Sequence, residues 1–392
     1  MSAQDLYNLS PLVRLLLVGA LLGGVPLAWV AWRHRRGTPL RQVQALTLLT
    51  LFLTFDLVLF GAFTRLTDSG LGCPDWPGCY GHASPLGASV SIQAAQTVMP
   101  TGPVTHGKAW VEMIHRYLAS SVGFLILVLT VLAWRRGSSR EGQTGRSPVS
   151  PWWPTLTLVW VCIQGAFGAL TVTMKLFPAI VTLHLAGGVI LLVLLCVQAV
   201  RYAQFETPVP QVSLPVGMRR LLWVSATLLG VQILLGGWVS TNYAVLACSD
   251  FPRCQGSWWP DMNWSQGFEI WRELGMTQGA EVIGFSALTA IHYAHRLAAY
   301  GVLTVLGLLA WRLNKTPALR LQSRWLAGLT GLQLATGLSN VVLDWPLVAA
   351  VLHTGGAAAL AITLAWALAA SRTESATQTT SYLNPSESRL SV

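Results

Sequence analysis

Nine long apolar segments constrain this 392-residue chain more than any other feature. They cover approximately residues 11–32, 44–66, 110–134, 155–173, 179–200, 220–241, 286–312, 324–343 and 347–370. Each comes close to the roughly 20 residues that a helix needs to cross a bilayer. Charged residues make up only 10% of the chain, which excludes an ordinary soluble globular protein. Lipid leaves helices or closed barrels as options, and period-2 alternation is absent, so we predict an all-α polytopic membrane protein.

The basic residues predict how the chain is oriented. They concentrate in four short connections, at residues 33–41, 135–146, 201–220 and 312–324. All four fall on one side if every segment spans, and that side is cytoplasmic by the positive-inside rule. The same rule accounts for the net charge of +10 without nucleic acid as a partner.

The same orientation places the rest of the chain. The two long loops that carry cysteines lie outside a bacterial cytoplasmic membrane. The Ser- and Thr-rich tail, residues 371–392, is predicted to be cytoplasmic and disordered. The first apolar segment has no basic leader and no clear cleavage site, so we expect it to be a retained helix.

An internal repeat divides the chain into two halves. Three sets of residues recur in the same order, at offsets of 175, 180 and 168–169: Gly61, Cys73, Asp75 and Cys79 as Gly236, Cys248, Asp250 and Cys254; His115 and Arg116 as His295 and Arg296; and Gln164, Gly168, Pro178 and His184 as Gln333, Gly337, Pro346 and His353. Each half holds four apolar segments, an even number, so both halves enter the membrane in the same direction. We predict two four-helix bundles, residues 44–203 and 204–370, related by a pseudo-two-fold axis along the membrane normal. Residues 1–43 add an extra N-terminal transmembrane helix and a cytoplasmic linker.

Four histidines form the candidate site. His115 and His184 in the first half, and His295 and His353 in the second, lie one to two turns below the outer surface. Two neutral imidazoles at matched depth suit the two axial positions of a haem iron. Glycines follow His184 and His353 and would let a flat macrocycle approach. A lone histidine in a span is often only a helix–helix hydrogen-bonding residue, and structural zinc would need four ligands. The repeat favours two haem sites.

Charged neighbours of the histidines are further candidates. Arg116 and Arg296 follow two of the histidines and, with Arg65, are candidates to face haem propionates. Glu112 precedes His115 by one helical turn, whereas the second half has His292 at the matching place. Residues i and i+3 share a helix face, so each would point toward the same haem edge as the ligand, which makes His292 a candidate cofactor-binding residue. A buried acid beside only one site could move a proton or stabilise positive charge. The alternative is that Glu112 only pairs with Arg116 or Lys108 at the membrane surface.

The outer loops each carry two cysteines six residues apart. Cys73 and Cys79 lie in the first loop, and Cys248 and Cys254 lie in the second. Thiols this close can form a disulfide, which would either staple the loop or be redox-active.

These motifs resemble those of the haem A synthases that serve haem-copper cytochrome oxidases. The resemblance rests on FTRLTDSGLGCPDWPGC (Phe63–Cys79), EMIHR (Glu112–Arg116), LHLAGG, HYAHR and LHTGG, and it runs from about residue 45 to residue 370. The helix at residues 11–32 departs from the usual eight-span pattern.

The resemblance implies an oxidoreductase that converts the C8 methyl group of haem O to a formyl group through an alcohol, with water as the oxygen source. It implies that His115 and His184 ligate haem O or its products, that His295 and His353 hold a haem b cofactor, and that Glu112 is the catalytic acid. Cys73 and Cys79 match the family's outer cysteine pair. Expected partners are a haem O synthase and an electron acceptor such as a quinone or a cytochrome, and a homo-oligomer is compatible with the sequence.

Two other functions use the same residues. A di-haem, quinol-linked b-type cytochrome would share every histidine, but it would not need an acid at one haem only. A transporter or haem exporter tends to have helices broken near the midplane, whereas the marked residues here lie near the outer face.

Overall fold

A computed structural model describes residues 10–138, 149–206 and 211–374. These residues form eleven helices and two short strands. The helices are α1 (Ser10–Arg33), α2 (Pro39–Leu66), α3 (Ser89–Val98), α4 (His106–Ser138), α5 (Trp152–Thr173), α6 (Pro178–Glu206), α7 (Val216–Thr241), α8 (Trp264–Gly267), α9 (Phe285–Leu313), α10 (Arg320–Val342) and α11 (Leu347–Ala370). The strands are β1 (Val212–Leu214) and β2 (Ser371–Thr373). The predicted all-α, multi-pass membrane fold is confirmed.

Each of the nine predicted segments is a long helix. Within the described part of the chain, eight are long and apolar enough to cross a membrane, and α10 is the exception. Polar side chains such as Gln322, Ser323 and Asn340 lower its hydropathy, and all three are buried among neighbouring helices. The hydroxyl of Ser323, for example, donates to the carbonyl oxygen of Ala310 on α9. The polarity of α10 therefore faces protein.

Helix ends follow from local sequence. Helix α2 begins where the Thr38 hydroxyl accepts from the N–H of Arg41 and Pro39 occupies the first turn. It ends beside Asp68, which adopts a left-handed conformation with φ of 50°. Helix α7 ends in the same way beside Tyr243, with φ of 54°. A left-handed residue after the last turn is a common helix terminator, and here it recurs at the repeat offset of 175.

Two apolar clusters form the interior of the halves. One joins α2, α4, α5 and α6 and includes Leu125, Leu129 and Leu195. The other joins α7, α9, α10 and α11 and includes Leu306 and Leu360. Helix α1 packs on α4, where Gly23 lies against Phe124. The boundaries predicted for the two bundles, and their two-fold relation, stay predictions.

The contacts between the halves nonetheless fit an isologous arrangement. Helix α2 packs on α11, and its repeat equivalent α7 packs on α6, the equivalent of α11. A smaller apolar cluster with Val189, Leu192 and Ala358 lies at this seam. In a two-fold interface, each contact between two elements occurs a second time between their symmetry equivalents.

The short sheet was not predicted. Strand β1 pairs in parallel with β2, with Val212 opposite Ser371. Three residues per strand are too few for an alternation pattern in the sequence. The predicted disorder of the tail therefore does not hold for Ser371–Thr373, and residues 375–392 lie outside the described residues.

Candidate functional site

The second half brings two of the predicted histidines face to edge. The ring centroids of His295 on α9 and His353 on α11 are 6.4 Å apart, with ring planes at 78°. A metal–imidazole bond is about 2 Å long, so two rings on opposite sides of one ion would have centroids roughly 6 Å apart. Both residues are only half-buried. The pair fits axial ligation of a single haem iron.

Each of the four histidines packs against a glycine of a neighbouring helix. A Cβ atom on Gly61 would lie 3.1 Å from Cε1 of His115, and one on Gly236 would lie 3.0 Å from Cε1 of His295. The corresponding distances are 3.6 Å between Gly168 and His184 and 3.2 Å between Gly337 and His353. The repeat contains these glycines, but their contact with the imidazoles was not predicted.

The glycines that follow His184 and His353 have another role than expected. A Cβ on Gly187 or Gly356 would run into the side chain of Gln164 or Gln333, and one on Gly355 would run into Leu59. These glycines permit close packing between side chains and helices. The expectation that glycines here let a macrocycle approach stays a prediction.

In the first half, His115 lies on α4 and His184 lies on α6. The ring of His115 stacks on Phe60 with centroids 6.3 Å apart. The Nδ1 atoms of both histidines are buried and have no hydrogen-bond partner among the described residues.

The depths of the histidines differ from the prediction. Helix α4 begins at His106, four residues before the predicted start, so His115 lies nine residues into its helix. His295 lies ten residues into α9, and His184 and His353 each lie six residues into theirs. Depth is therefore matched between the halves, but α4 and α9 extend further beyond the histidines.

Glu112 is buried and ties α4 to the first cysteine loop. Its carboxylate forms an ion pair with Arg116, and its Oε2 accepts from the N–H of Cys73 at 2.7 Å. It is 4% exposed. The predicted alternative of a pair with Arg116 is thus observed, but in the interior and not at the surface. Lys108 instead donates to the carbonyl oxygen of Gly102.

The guanidinium of Arg116 donates to the same loop through both of its terminal nitrogens. It donates to the carbonyl oxygens of Asp75, Pro77 and Gly78 in addition to Glu112. In the second half, Arg296 donates to the carbonyl oxygens of Asp250 and Arg253. Both arginines therefore hold a disulfide loop, and the expected contact with haem propionates stays a prediction.

His292 occupies the place of Glu112 in the second half. Its Nδ1 contacts the carbonyl oxygen of Ala244 at 3.0 Å, and its Nε2 lies 3.4 Å from Nη2 of Arg296. Both ring nitrogens are thus directed at protein, and the expected contact with a cofactor stays a prediction. The two halves share one framework but differ in the charge at this position.

Both cysteine pairs form disulfides, as the spacing predicts. Cys73 bonds Cys79, and Cys248 bonds Cys254. In the second loop the carboxylate of Asp250 accepts from the N–H groups of Gly256 and Gln255, which lowers its pKa. Asp75 makes the same contacts in the first loop, with Tyr80 and Gly81.

Arg65 joins the two halves where α2 and α7 end. Its Nη2 donates to the carbonyl oxygen of Ser240 at 2.7 Å, and its guanidinium lies 4.1 Å from the ring centroid of Tyr243. The Tyr243 hydroxyl donates to Asp68 at 2.6 Å, and Asp68 also pairs with Arg65. Arg65 lies one turn after Gly61 on α2, and these contacts tie it to the end of α7.

Comparisons with known proteins agree with this arrangement. The sequence profile of the COX15-CtaA family, described as cytochrome oxidase assembly protein, matches residues 44–365. The chain is 39% identical to the haem A synthase of Shewanella oneidensis over 323 residues, which is 82% of this chain and 94% of that protein. It is 26% identical to the haem A synthase of Rhodospirillum centenum over 81% of this chain and 84% of the relative. For the haem A synthase of Halalkalibacterium halodurans the identity is 25%, over 76% and 86%. The chain therefore belongs to the haem A synthase family of cytochrome oxidase assembly proteins.

Proposed function

We propose that this membrane protein oxidises haem O to haem A in its N-terminal half and keeps a haem b cofactor in its C-terminal half. The observation that carries the proposal is the difference between two otherwise matched sites. Both halves have a histidine pair, a glycine against each ring and a disulfide loop held by an arginine. Among the described residues, the N-terminal half alone has a buried carboxylate, Glu112, one turn from one of these histidines.

The histidine pairs supply the ligands. His115 and His184 would bind the substrate haem. His295 and His353 would hold haem b, which supplies one-electron transfer when bound. The ring separation of 6.4 Å in the second pair supports that assignment.

The reaction removes four electrons from one carbon atom of the substrate. In the first step the C8 methyl group takes oxygen from water and becomes an alcohol, and two electrons and two protons leave. In the second step the alcohol becomes a formyl group as two more electrons and two more protons leave. The electrons pass to an acceptor of the quinone or cytochrome class, and the protons need a base.

Glu112 is the proposed catalytic carboxylate. Arg116 occupies one of its oxygens and the Cys73 N–H the other. Each carboxylate oxygen has two lone pairs, so one on each remains to accept a proton or a substrate hydroxyl. The pair also fixes the position of the carboxylate relative to His115. His292 has no ring nitrogen left to accept a proton from a substrate, because both of its ring nitrogens contact protein.

The remaining predictions complete the proposal. The disulfide loops lie outside the bacterial cytoplasmic membrane and residues after Thr373 lie in the cytoplasm. Haem O arrives from a haem O synthase within the bilayer, and haem A leaves toward a cytochrome oxidase.

Haem extraction with chromatography and mass spectrometry tests the function. The chain is expressed in a host that makes haem O but no haem A. We expect haem A or its alcohol precursor only when the chain is present. Bound haem b with untouched haem O, at confirmed haem O supply and protein level, would instead favour a b-type electron-transfer cytochrome.

Three variants test the assignment of residues. Glu112→Ala should keep bound haem and make no haem A, whereas His292→Ala should keep activity. His295→Ala should lose haem b. Normal haem A yield from Glu112→Ala would remove that residue from the mechanism, and unchanged haem b in His295→Ala would reverse the assignment of the halves.

A further inference from the structure

The two histidine pairs differ in what contacts their second ring nitrogen. In the C-terminal half, Nδ1 of His353 lies 2.9 Å from the hydroxyl of Thr336. Nδ1 of His295 lies 3.1 Å from the amide of Gln232. In the N-terminal half, Nδ1 of both His115 and His184 is buried without a hydrogen-bond partner in the described part of the chain.

The repeat shows that this difference lies in the sequence. Gln232 corresponds to Leu57 at the offset of 175, and Thr336 corresponds to Phe167 at the offset of 169. Leucine and phenylalanine have no group that can hydrogen-bond an imidazole N–H. The N-terminal half therefore lacks both polar partners at the positions where the C-terminal half has them.

Thr336 selects the ring tautomer that binds a metal. Its hydroxyl proton is directed to the carbonyl oxygen of Leu332 at 2.7 Å, so its oxygen is left to accept from Nδ1–H of His353. A proton on Nδ1 leaves the lone pair of Nε2 free for iron.

Gln232 holds His295 from the other side of the site. Its amide nitrogen also donates to the carbonyl oxygen of His295 at 3.1 Å, and its Oε1 is buried without a partner among the described residues. The same nitrogen lies 3.1 Å from Nδ1 and 3.4 Å from Nε2 of the ring, so the amide ties the imidazole to its own backbone. Gln232 therefore restricts the orientation of the His295 ring, whereas Thr336 selects the tautomer of His353.

We propose that Gln232 and Thr336 are positioning residues that orient His295 and His353 and make the C-terminal half retain its haem, while the absence of such partners makes the N-terminal pair release its haem. This inference rests on the proposed function, in which one haem is a cofactor and the other a substrate. Partners on the second nitrogen of a ligating histidine fix its orientation and raise its basicity, and their loss typically weakens metal binding roughly 10- to 100-fold. A cofactor site benefits from that retention, whereas a substrate site must let its product leave.

The rate of haem loss tests the inference without haem O or catalysis. Protein is made in a host that supplies only haem b, and haem transfer to excess apomyoglobin is followed by absorbance. We expect a slow phase from the C-terminal site. Gln232→Leu and Thr336→Val should each accelerate that phase roughly 10-fold or more. Thr336→Val should also raise the midpoint potential of the haem, because a less basic ligand stabilises ferric iron less.

Matched variants separate positioning from folding. Thr330 lies on the same helix, and its hydroxyl donates only to the carbonyl oxygen of Leu326, so Thr330→Val should release haem at the wild-type rate. Thr336→Ser keeps the hydroxyl and should restore slow release. If Gln232→Leu does not fold, Leu57→Gln gives the reciprocal test, because it should slow release from the N-terminal site.

The outcomes distinguish this inference from the proposed function. An unchanged slow phase and potential in folded Thr336→Val overturns the inference, even if haem A is produced. Accelerated release in a protein that makes no haem A supports the positioning role and overturns the proposed function.

Discussion

Replacing Arg116 should destabilise the protein more than replacing Arg296, although the two arginines hold equivalent loops. Arg116→Met leaves the carboxylate of Glu112 buried without its counter-charge, as well as three loop carbonyl groups without a donor. Removing one partner of a buried ion pair lowers the free energy of unfolding by about 3–5 kcal/mol. Arg296→Met leaves only neutral partners, for which an unsatisfied group costs about 1–3 kcal/mol. We therefore expect a difference of about 2 kcal/mol in the free energy of unfolding.

A double-mutant cycle isolates the charge. Glu112→Gln keeps an acceptor for the Cys73 N–H but removes the negative charge, so it should offset part of the damage of Arg116→Met by about 2 kcal/mol. Unfolding in mixed micelles of increasing SDS fraction, followed by tryptophan fluorescence, gives the four free energies. Equal losses for the two arginine variants, with a coupling below about 0.5 kcal/mol, would refute a charged Glu112–Arg116 pair.

Two further predictions concern the second half. The N–H of Gly256 is the main cause of the lowered pKa of Asp250. The folded pKa lies below the unfolded value of about 3.9, so this stabilisation is present above that pH and is lost as the pH falls through the folded pKa. Asp250→Asn should flatten the acid limb of the stability–pH profile, and an unchanged limb would assign it to other groups. Gly236→Ala should reduce haem content, because the new Cβ lies 3.0 Å from Cε1 of His295. Gly230→Ala on the same helix has nothing within 4 Å and should leave haem content unchanged; equal loss in both would point to the helix and not to the ring.

The helices could be predicted because an apolar run long enough to span a bilayer has few other solutions. Their ends were less accessible to sequence reasoning. The predicted start of α4 at Trp110 follows the apolar run, but the helix continues back to His106 through Lys108, whose amine finds a carbonyl oxygen outside the helix. Helix α10 is less apolar than the other predicted spans, and several of its polar side chains are buried against protein.

The sequence predicted which residues form the candidate site better than it predicted their contacts. The repeat identified the histidines, the glycines and Glu112. It could not show that Arg116 donates to carbonyl groups about forty residues earlier in the chain, because that contact depends on how the disulfide loop folds back over α4. The spacing of i and i+4 predicts only that Glu112 and Arg116 lie on one face of a helix.

The contacts of Arg65 and Asp68 bear on how a duplicated protein of this kind could arise. Each touches the residue that occupies its own position in the other half: Arg65 contacts Ser240, and Asp68 contacts Tyr243, both at the offset of 175. In a dimer of identical four-helix units these positions would face their own copies, arginine against arginine and aspartate against aspartate, which like charges disfavour. Fusion into one chain removes that restriction. The two halves could then acquire different residues at these positions. Arg65 now donates to the carbonyl oxygen of Ser240, and Asp68 accepts from the phenol of Tyr243. A symmetric dimer has the same residue at both positions of each pair, so it could not have formed these contacts.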